Sequence, residues 1–431
     1  MYRLPNEMAN DLDLGGGPLC IARPTAESRQ KVKEGFKMQR EVIGYTKMES
    51  ELLSDQLDRA PFFFASPTNT MLGIGIEQEI HQPMPFAQLA ERAQTMLQAA
   101  KQHESDNPVL FGIVPFREEN PTRFVIPQQL LVSSSTRGSA NAAANQAAQA
   151  KVISSPSGQH YRQGVSDLLN LFATTDLAKA VLSRAVEVET DTDIHLPGLL
   201  RNLLAINAKG YTFAADTLPG VKLMGASPEL LVAKKGSYVV SNPLAGSRPR
   251  SASEAQNDDS RLSLLNTQKD LHEHGLVVEE VERVLSQYCH NLYAPMIPSV
   301  IETQTMLHLS TLLEGQANDA NLNVLKIAAD LHPTPAVCGY PRANAYEAIR
   351  NIEQFDRGYF TGMVGWCDSR GNGEWVVTIR CAEVQKRQMK VYAGAGIVHE
   401  SVPQSELDET GAKMGTILSA AGIQLNELLT A

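Results

Sequence analysis

From about residue 159 onward, two hydrophobic periodicities alternate along the chain. In SDLLNLFATT and LPGLLRNLLAIN, apolar residues recur three and four positions apart, as at Leu196, Leu199, Leu200 and Leu203. That spacing gathers them on one stripe of an amphipathic helix. In KAVLSRAVEVET, GSYVVSNPLAG, EWVVTIRCAEV and QMKVYAGAGIV the runs are short and rich in Val and Ile, which predicts strands. Strands at 359–367, 374–384 and 389–398 follow one another with only turns between them. Such a meander predicts an antiparallel or mixed sheet with helices outside it, an α/β (α+β) fold and not a doubly wound parallel sheet. No repeat of fixed period is present.

Earlier segments follow other patterns. Residues 1–47 are polar, carry Gly15, Gly16 and Gly17, and show no sustained periodicity. They read as a flexible N-terminal extension, with Met48 as an alternative start. Residues 48–132, whose globular part opens at Pro61-Phe62-Phe63-Phe64, read as the N-terminal half of the fold. Residues 133–158 are biased towards Ser, Ala, Asn and Gln and read as a surface connection. Residues 159–431 form the richer C-terminal half. A chain of 431 residues exceeds the usual size of one hydrophobic core, so two packed halves or two domains are expected.

Charge narrows the function. With 38 Lys and Arg against 48 Asp and Glu, the formal net charge is −10. No basic excess is available to neutralise phosphates, which argues against nucleic-acid binding. No apolar run is long enough to span a bilayer, and the N-terminus lacks the basic and apolar regions of a secretory signal. The five cysteines are scattered and never spaced as CxxC. A disulfide framework and a zinc site are both disfavoured, and a reducing, cytoplasmic setting fits.

The candidate chemistry begins at ELDETGAK. On a helix Glu406, Glu409 and Lys413 share one face, while Asp408 points elsewhere. Asp270 and Glu273 in KDLHEHGLVVEEV have the same spacing. Each pair alone could be a solvated helix face. Facing each other, the two pairs would form an oxygen-rich cage for a hard cation such as Mg²⁺. Lys179 heads an apolar strand, either snorkelling to water or serving as a buried amine base. Glu229 follows Gly225 and Pro228 in a turn between strands, as a turn-capping group or as an enclosed acid. In NPLAGSRPR, Gly246 and Ser247 precede Arg248 and Arg250, a solvated basic loop or a carboxylate-binding one. Arg380, in an apolar strand, calls for an anionic partner. Ala393-Gly394-Ala395-Gly396 lacks the third glycine of a dinucleotide fingerprint, and its glycines could let backbone N–H groups approach an anion. His272 and His274 flank Glu273 without zinc-site spacing. Ser405 with Asp408 resembles a capping box.

Together these motifs resemble the chorismate-utilising enzymes. The strings that carry the resemblance are KAVLSR, GASPELLV, PLAGSRPR, KDLHEHGLV, LHPTPAVCGYP, FDRGYFTGMVGWCDSRGNGEWVVTIRCAEV, VYAGAGIV and ELDETGAKMGTIL. They occur in the family's order over roughly residues 160–420, and PFFFASP fits the start of the family's N-terminal half. Within the family the chain looks most like isochorismate synthases of the 2,3-dihydroxybenzoate, catecholate-siderophore type. The resemblance implies a two-layer, mainly antiparallel sheet core decorated by helices, with the active site in a deep cleft.

It also implies roles. Lys179 matches the general base that activates water towards C2 of chorismate. Glu229 matches the acid that protonates the departing C4 hydroxyl. Glu273 and Glu409 match direct Mg²⁺ ligands, and Asp270 and Glu406 the flanking acidic positions. Arg380, Gly394 and Lys413 match contacts to substrate carboxylates, and His308 a pocket histidine. Gly246 and Ser247 join the substrate site, as do Ala336, Val337, Phe360, Ile379 and Tyr392. Val337 and Tyr392 depart from the Leu and Phe expected of the siderophore type. Family members that use ammonia lack the base lysine, so Lys179 favours water as nucleophile. Salicylate synthases keep the lysine but also eliminate pyruvate, and the menaquinone-pathway isochorismate synthase shares the chemistry. A non-catalytic paralogue would have lost a base, an acid or a metal ligand, and none is lost here. No organic cofactor is needed. The implied partner is chorismate itself, with a downstream isochorismatase as pathway neighbour and a monomer or weak dimer as the assembly.

Overall fold

Every pairing between described strands is antiparallel. A computed structural model describes residues 56–103, 106–134, 150–154 and 158–423. All of them fall in one unit, Arg40–Ala431. The expected extension over 1–47 lies outside the described residues, as do 135–149 and 155–157 of the expected surface connection. The ends of that connection are strand: Gln129–Ser134 runs into it, and Ala150–Ser154 pairs with Lys179–Thr190.

Two large sheets form the body. The first runs, in spatial order, Gly339–Tyr340, Lys179–Thr190, Gln388–Ile397, Cys381–Gln385, Val221–Ser227, Tyr211–Leu218, Phe62–Ala65, Asn69–Ile74 and Gln129–Ser134. The second runs Cys289–Tyr293, Leu313–Ala317, Tyr238–Asn242, Leu230–Lys235, Gly373–Val377, Met363–Asp368, Val109–Val114, Pro121–Ile126 and Gln78–Pro83. Each sheet therefore takes strands from both sides of the 133–158 segment. A third, small sheet joins Leu244–Pro249, Met306–Ser310 and Ser299–Glu302.

Alternation along the strands explains why both faces are apolar. In Phe62–Ala65 every residue is buried. Phe63 and Ala65 pack with the helices Leu196–Ile206 and Pro403–Ala420. Phe62 turns the other way and stacks on Phe111 of the second sheet, ring centroids 5.6 Å apart. Each such buried ring contributes about 1.5–3 kcal/mol. The outer face of the second sheet is covered by Leu89–Ala99, Gln268–Leu285 and Val324–Leu331.

Sequence expectations hold closely for two long strands. The run KAVLSRAVEVET is the strand Lys179–Thr190, and the strand expected over 389–398 in QMKVYAGAGIV is Gln388–Ile397, shifted by one residue. Others are corrected. GSYVVSNPLAG is split into Tyr238–Asn242 and Leu244–Pro249, which belong to different sheets. The single strand expected at 374–384 is two, Gly373–Val377 in the second sheet and Cys381–Gln385 in the first. Arg380 lies between them at φ +51°, a left-handed conformation uncommon for a non-glycine residue. The helix of ELDETGAK begins at Pro403 with Val402 as N-cap, so Ser405 lies inside the first turn and forms no capping box.

The described cysteines Cys289, Cys338, Cys367 and Cys381 are free and buried. No helix among the described residues is long and apolar enough to cross a membrane.

Candidate active site

The site forms where the chain passes from one large sheet to the other. Pro228 and Glu229 connect Val221–Ser227 in the first sheet to Leu230–Lys235 in the second; residues 378–380 make the reverse passage. The two passages lie side by side. Ala226 N–H donates to the Arg380 carbonyl at 3.0 Å, and Val377 N–H donates to the Glu229 carbonyl at 3.2 Å. Both side chains enter one pocket.

Burial sets the state of Glu229. It is 3 % exposed, and loss of water drives its pKa up to about 7. A hydrogen bond from the Leu244 backbone and the charges of Lys179, Arg380 and Lys413 oppose that rise without cancelling it. Glu229 is thus a carboxylic acid able to hold its proton near neutrality.

Lys179 is fully buried at the head of its strand. It does not snorkel. Its Nζ lies 3.1 Å from Glu273 Oε1, yet no acceptor meets it in hydrogen-bond geometry. A buried amine nitrogen with no hydrogen-bond partner has room for one more small polar partner. Gly396 creates the space around it: a Cβ there would stand 2.1 Å from Glu273 Oε1 and 3.1 Å from Lys179 Cε.

The acidic helix pairs divide into inner and outer members. Glu273 and Glu409 line the pocket. Glu409 Oε1 accepts from Ser247 Oγ at 2.8 Å and pairs with Lys413 Nζ at 2.5 Å. Burial would raise the Glu409 pKa, but the Lys413 charge and these hydrogen bonds outweigh it and hold the carboxyl below its usual range. The outer members each meet a basic side chain. Asp270 is held by both terminal nitrogens of Arg248, and Glu406 by Lys269 Nζ at 2.7 Å. Burial keeps both of these carboxyls above their usual pKa, with repulsion from Glu409 adding to it at Glu406. Among the described residues no group of three or more His, Cys, Asp or Glu is arranged to hold a metal. The structure thus brings Glu273 and Glu409, the expected direct ligands, to the pocket, and pairs each expected flanking carboxylate, Asp270 and Glu406, with a basic side chain.

That donor set still suits one kind of ion. Mg²⁺ is commonly held by one or two carboxylates, with water and substrate oxygens completing its shell. Glu273 and Glu409 supply the two carboxylates, and each meets a lysine through Oε1.

The remaining predicted residues meet at the same pocket. Gly246, Ser247 and His308 line one part; Ala336, Val337, Phe360, Ile379 and Tyr392 line another. Phe360 and Tyr392 stack with centroids 5.0 Å apart. Gly246 sits at φ +77°, with Asp270 Cβ 3.3 Å from where its own Cβ would be. Gly394 offers its carbonyl to Lys413 Nζ at 2.9 Å. Arg380 Nη2 lies 3.3 Å from His308 Nε2. Burial brings the Arg380 pKa down to about 10, and burial followed by the Arg380 and Lys413 charges puts His308 well below its usual value. The histidine is neutral, and the guanidinium remains a cation. The histidines beside Glu273 lead elsewhere: His272 is exposed, and His274 is buried between the Ala245 carbonyl and Thr311 Oγ1.

Sequence reasoning missed Val181, Leu244, Ala245 and Thr361, which also line the pocket. Thr361 carries φ +60°, which no sequence pattern announces for a threonine.

A family model described as chorismate binding enzyme matches residues 125–422, well over half of the chain. The chain belongs to the chorismate-binding enzyme family. Among chorismate-binding enzymes, it is 66 % identical over 395 residues to the vibriobactin-specific isochorismate synthase of Vibrio cholerae, covering 91 % of this chain and 100 % of that one. It is 43 % identical over 388 residues to isochorismate synthase DhbC of Bacillus subtilis, covering 88 % and 98 %. The crystal structure of DhbC from Bacillus anthracis, assigned as a 2,3-dihydroxybenzoate-specific isochorismate synthase, superposes with a TM-score of 0.81 at 43 % identity, over 86 % of this chain and 98 % of that one. Menaquinone-specific MenF of Escherichia coli, at 18 % identity and a TM-score of 0.73 over 91 % and 98 %, shares the fold. The layered antiparallel architecture expected of a chorismate-binding enzyme is the one observed.

Proposed function

We propose that this protein is an isochorismate synthase of the catecholate-siderophore branch, interconverting chorismate and isochorismate. One observation carries the reading: a fully buried amine, Lys179, meets the pocket carboxylate Glu273, and an acid kept protonated to about pH 7, Glu229, lines the same pocket. A reaction that adds a hydroxyl at one carbon and expels another elsewhere needs one group to take a proton and one to give it.

Lys179 Nζ, which meets no partner in hydrogen-bond geometry, is the group to act as a neutral amine, its lone pair taking the proton of the attacking water as oxygen bonds to C2 of the ring. The ring double bonds shift, the C4–O bond breaks, and Glu229 delivers its proton to the departing hydroxyl. One water enters and one leaves, with no change in oxidation state. Arg380 and Lys413, lining the same pocket, supply cations for the substrate's carboxylates. Glu273 and Glu409 would hold Mg²⁺, which when bound offsets the charge of the ring carboxylate. The same reading sets the enzyme in the cytoplasm, upstream of an isochorismatase and apart from nucleic acid and membranes.

The test is a product assay. Purified protein with chorismate and Mg²⁺ is expected to yield isochorismate by chromatography, and Lys179→Ala to yield none while keeping its circular dichroism spectrum. Salicylate and pyruvate as the main products would move the protein to the salicylate synthases. No conversion at all would reject the reading.

A further inference from the structure

Behind the pocket wall lies an ion pair that no substrate can touch. Glu353, which caps the helix Arg342–Ile352, pairs with Arg357, and both side chains are 2 % exposed. The guanidinium uses all five of its N–H donors. Nε and Nη2 donate to the two oxygens of Glu353 at 2.8 and 2.5 Å. The second Nη2 donor reaches the Val181 carbonyl at 2.6 Å. Nη1 reaches the Val337 carbonyl at 2.8 Å and Thr361 Oγ1 at 3.2 Å. Glu353 Oε1 also accepts from the Ser183 backbone N–H at 2.7 Å. The guanidinium packs over the ring of Phe116, 4.4 Å from its centroid.

The three acceptors outside the pair belong to three separate segments, and Val181, Val337 and Thr361 all line the pocket. Val181 is two residues from Lys179 on the same strand. A buried ion pair is weak evidence for stability, because desolvation of the two charges offsets their attraction. Its geometry is better explained as positioning, since a planar five-donor group fixes several backbone carbonyls at once.

We propose that Arg357, oriented by Glu353, is a positioning residue that sets the strand bearing Lys179 against the pocket segments at Val337 and Thr361. The proposal rests on the isochorismate synthase reading only for its kinetic arm. In that arm the double variant Glu353→Gln/Arg357→Met removes both charges at similar volume, which lifts the burial cost while deleting the hydrogen bonds to the three segments. It is expected to melt near the wild type yet lose about 100-fold in kcat, the scale of a 1 Å misplacement, with KM within about threefold. A stably folded double variant with wild-type kcat overturns the proposal, as does a loss confined to KM.

Hydrogen exchange on Arg357→Lys gives an arm that needs no activity. Faster exchange concentrated at 181–184, 336–339 and 360–362 supports the clamp. Unchanged exchange there, or a rise spread evenly over both large sheets, overturns it. A wild type inert towards chorismate would reject the functional reading and leave the exchange result to decide the clamp.

Discussion

Lys179 Nζ and Glu273 Oε1 meet 3.1 Å apart in a space that exists because residue 396 is glycine. A Cβ at 396 would lie 2.1 Å from that oxygen, with the carboxylate end of a flexible side chain as the obstacle. The backbone of Gly396 is ordinary strand, paired with Val181, so alanine is compatible with its conformation. Gly396→Ala is expected to fold and melt within a few degrees of wild type, while Glu273 is pushed from its place. Turnover should fall by about 100-fold, the cost of a displaced reactive group, and Mg²⁺ affinity should weaken with it. Wild-type kinetics in a folded Gly396→Ala would show that Glu273 is not needed where it stands.

Glu229 predicts a pH limb. With its pKa at about 7, the acid form needed for proton donation is present below that value and lost above it. Turnover should therefore decline as pH rises through about 7, a tenfold drop per unit at the steep end. In Glu229→Gln the residual rate should be far lower and should lack this limb. A limb that survives unchanged in the Gln variant would assign it to another group.

The same shift has a sign for stability. The folded pKa of Glu229 is raised above its ordinary value of 4.5, so the folded state binds its proton more tightly than the unfolded chain. Its favourable contribution is complete below about pH 4.5 and is lost as pH rises to about 7. A gap of this size corresponds to on the order of 3 kcal/mol. Glu229→Gln should be no more stable than wild type at pH 4 and clearly more stable at pH 8, as read by urea midpoints. Equal midpoint differences at the two pH values would contradict the burial argument.

Part of this site was legible in the chain because it rests on local spacing. Glu406, Glu409 and Lys413 share a helix face by arithmetic alone, and the exposed Asp408 confirms the phase. Long-range partners were not legible. Nothing in the spacing of Asp270 and Glu406 shows that Arg248 and Lys269 will neutralise them, because those contacts are made only after two helices and a strand have packed. The strand at 374–384 read as continuous because Thr378 and Ile379 prolong the apolar run, whereas the break comes from the backbone conformation of Arg380. No local pattern marks the Glu353–Arg357 pair as buried. Its burial depends on segments more than a hundred residues away.

Glu409 predicts a metal phenotype. Its carboxylate is held ionised by Lys413 and Ser247 against the effect of burial, which keeps an anionic oxygen at the pocket at neutral pH. Glu409→Gln keeps the shape and removes the charge. Calorimetric titration should show Mg²⁺ binding weakened by about tenfold or more, and the Mg²⁺ concentration giving half-maximal turnover should rise in step. Identical titrations for variant and wild type would remove Glu409 from the metal's surroundings.

Arg380 predicts a split between the kinetic constants. Its guanidinium is a cation beside a neutral His308, and its left-handed backbone places it at the passage between the sheets. Lysine can follow that backbone no worse than arginine and retains the charge, but it lacks the planar fork that grips a carboxylate through two parallel bonds. A lost hydrogen bond to a charged group costs about 1.5–3 kcal/mol. Arg380→Lys should therefore raise KM for chorismate by about 10- to 100-fold and change kcat less, because the contact holds the substrate in ground and transition states alike. A variant whose kcat collapses at unchanged KM would instead place Arg380 at the reacting atoms.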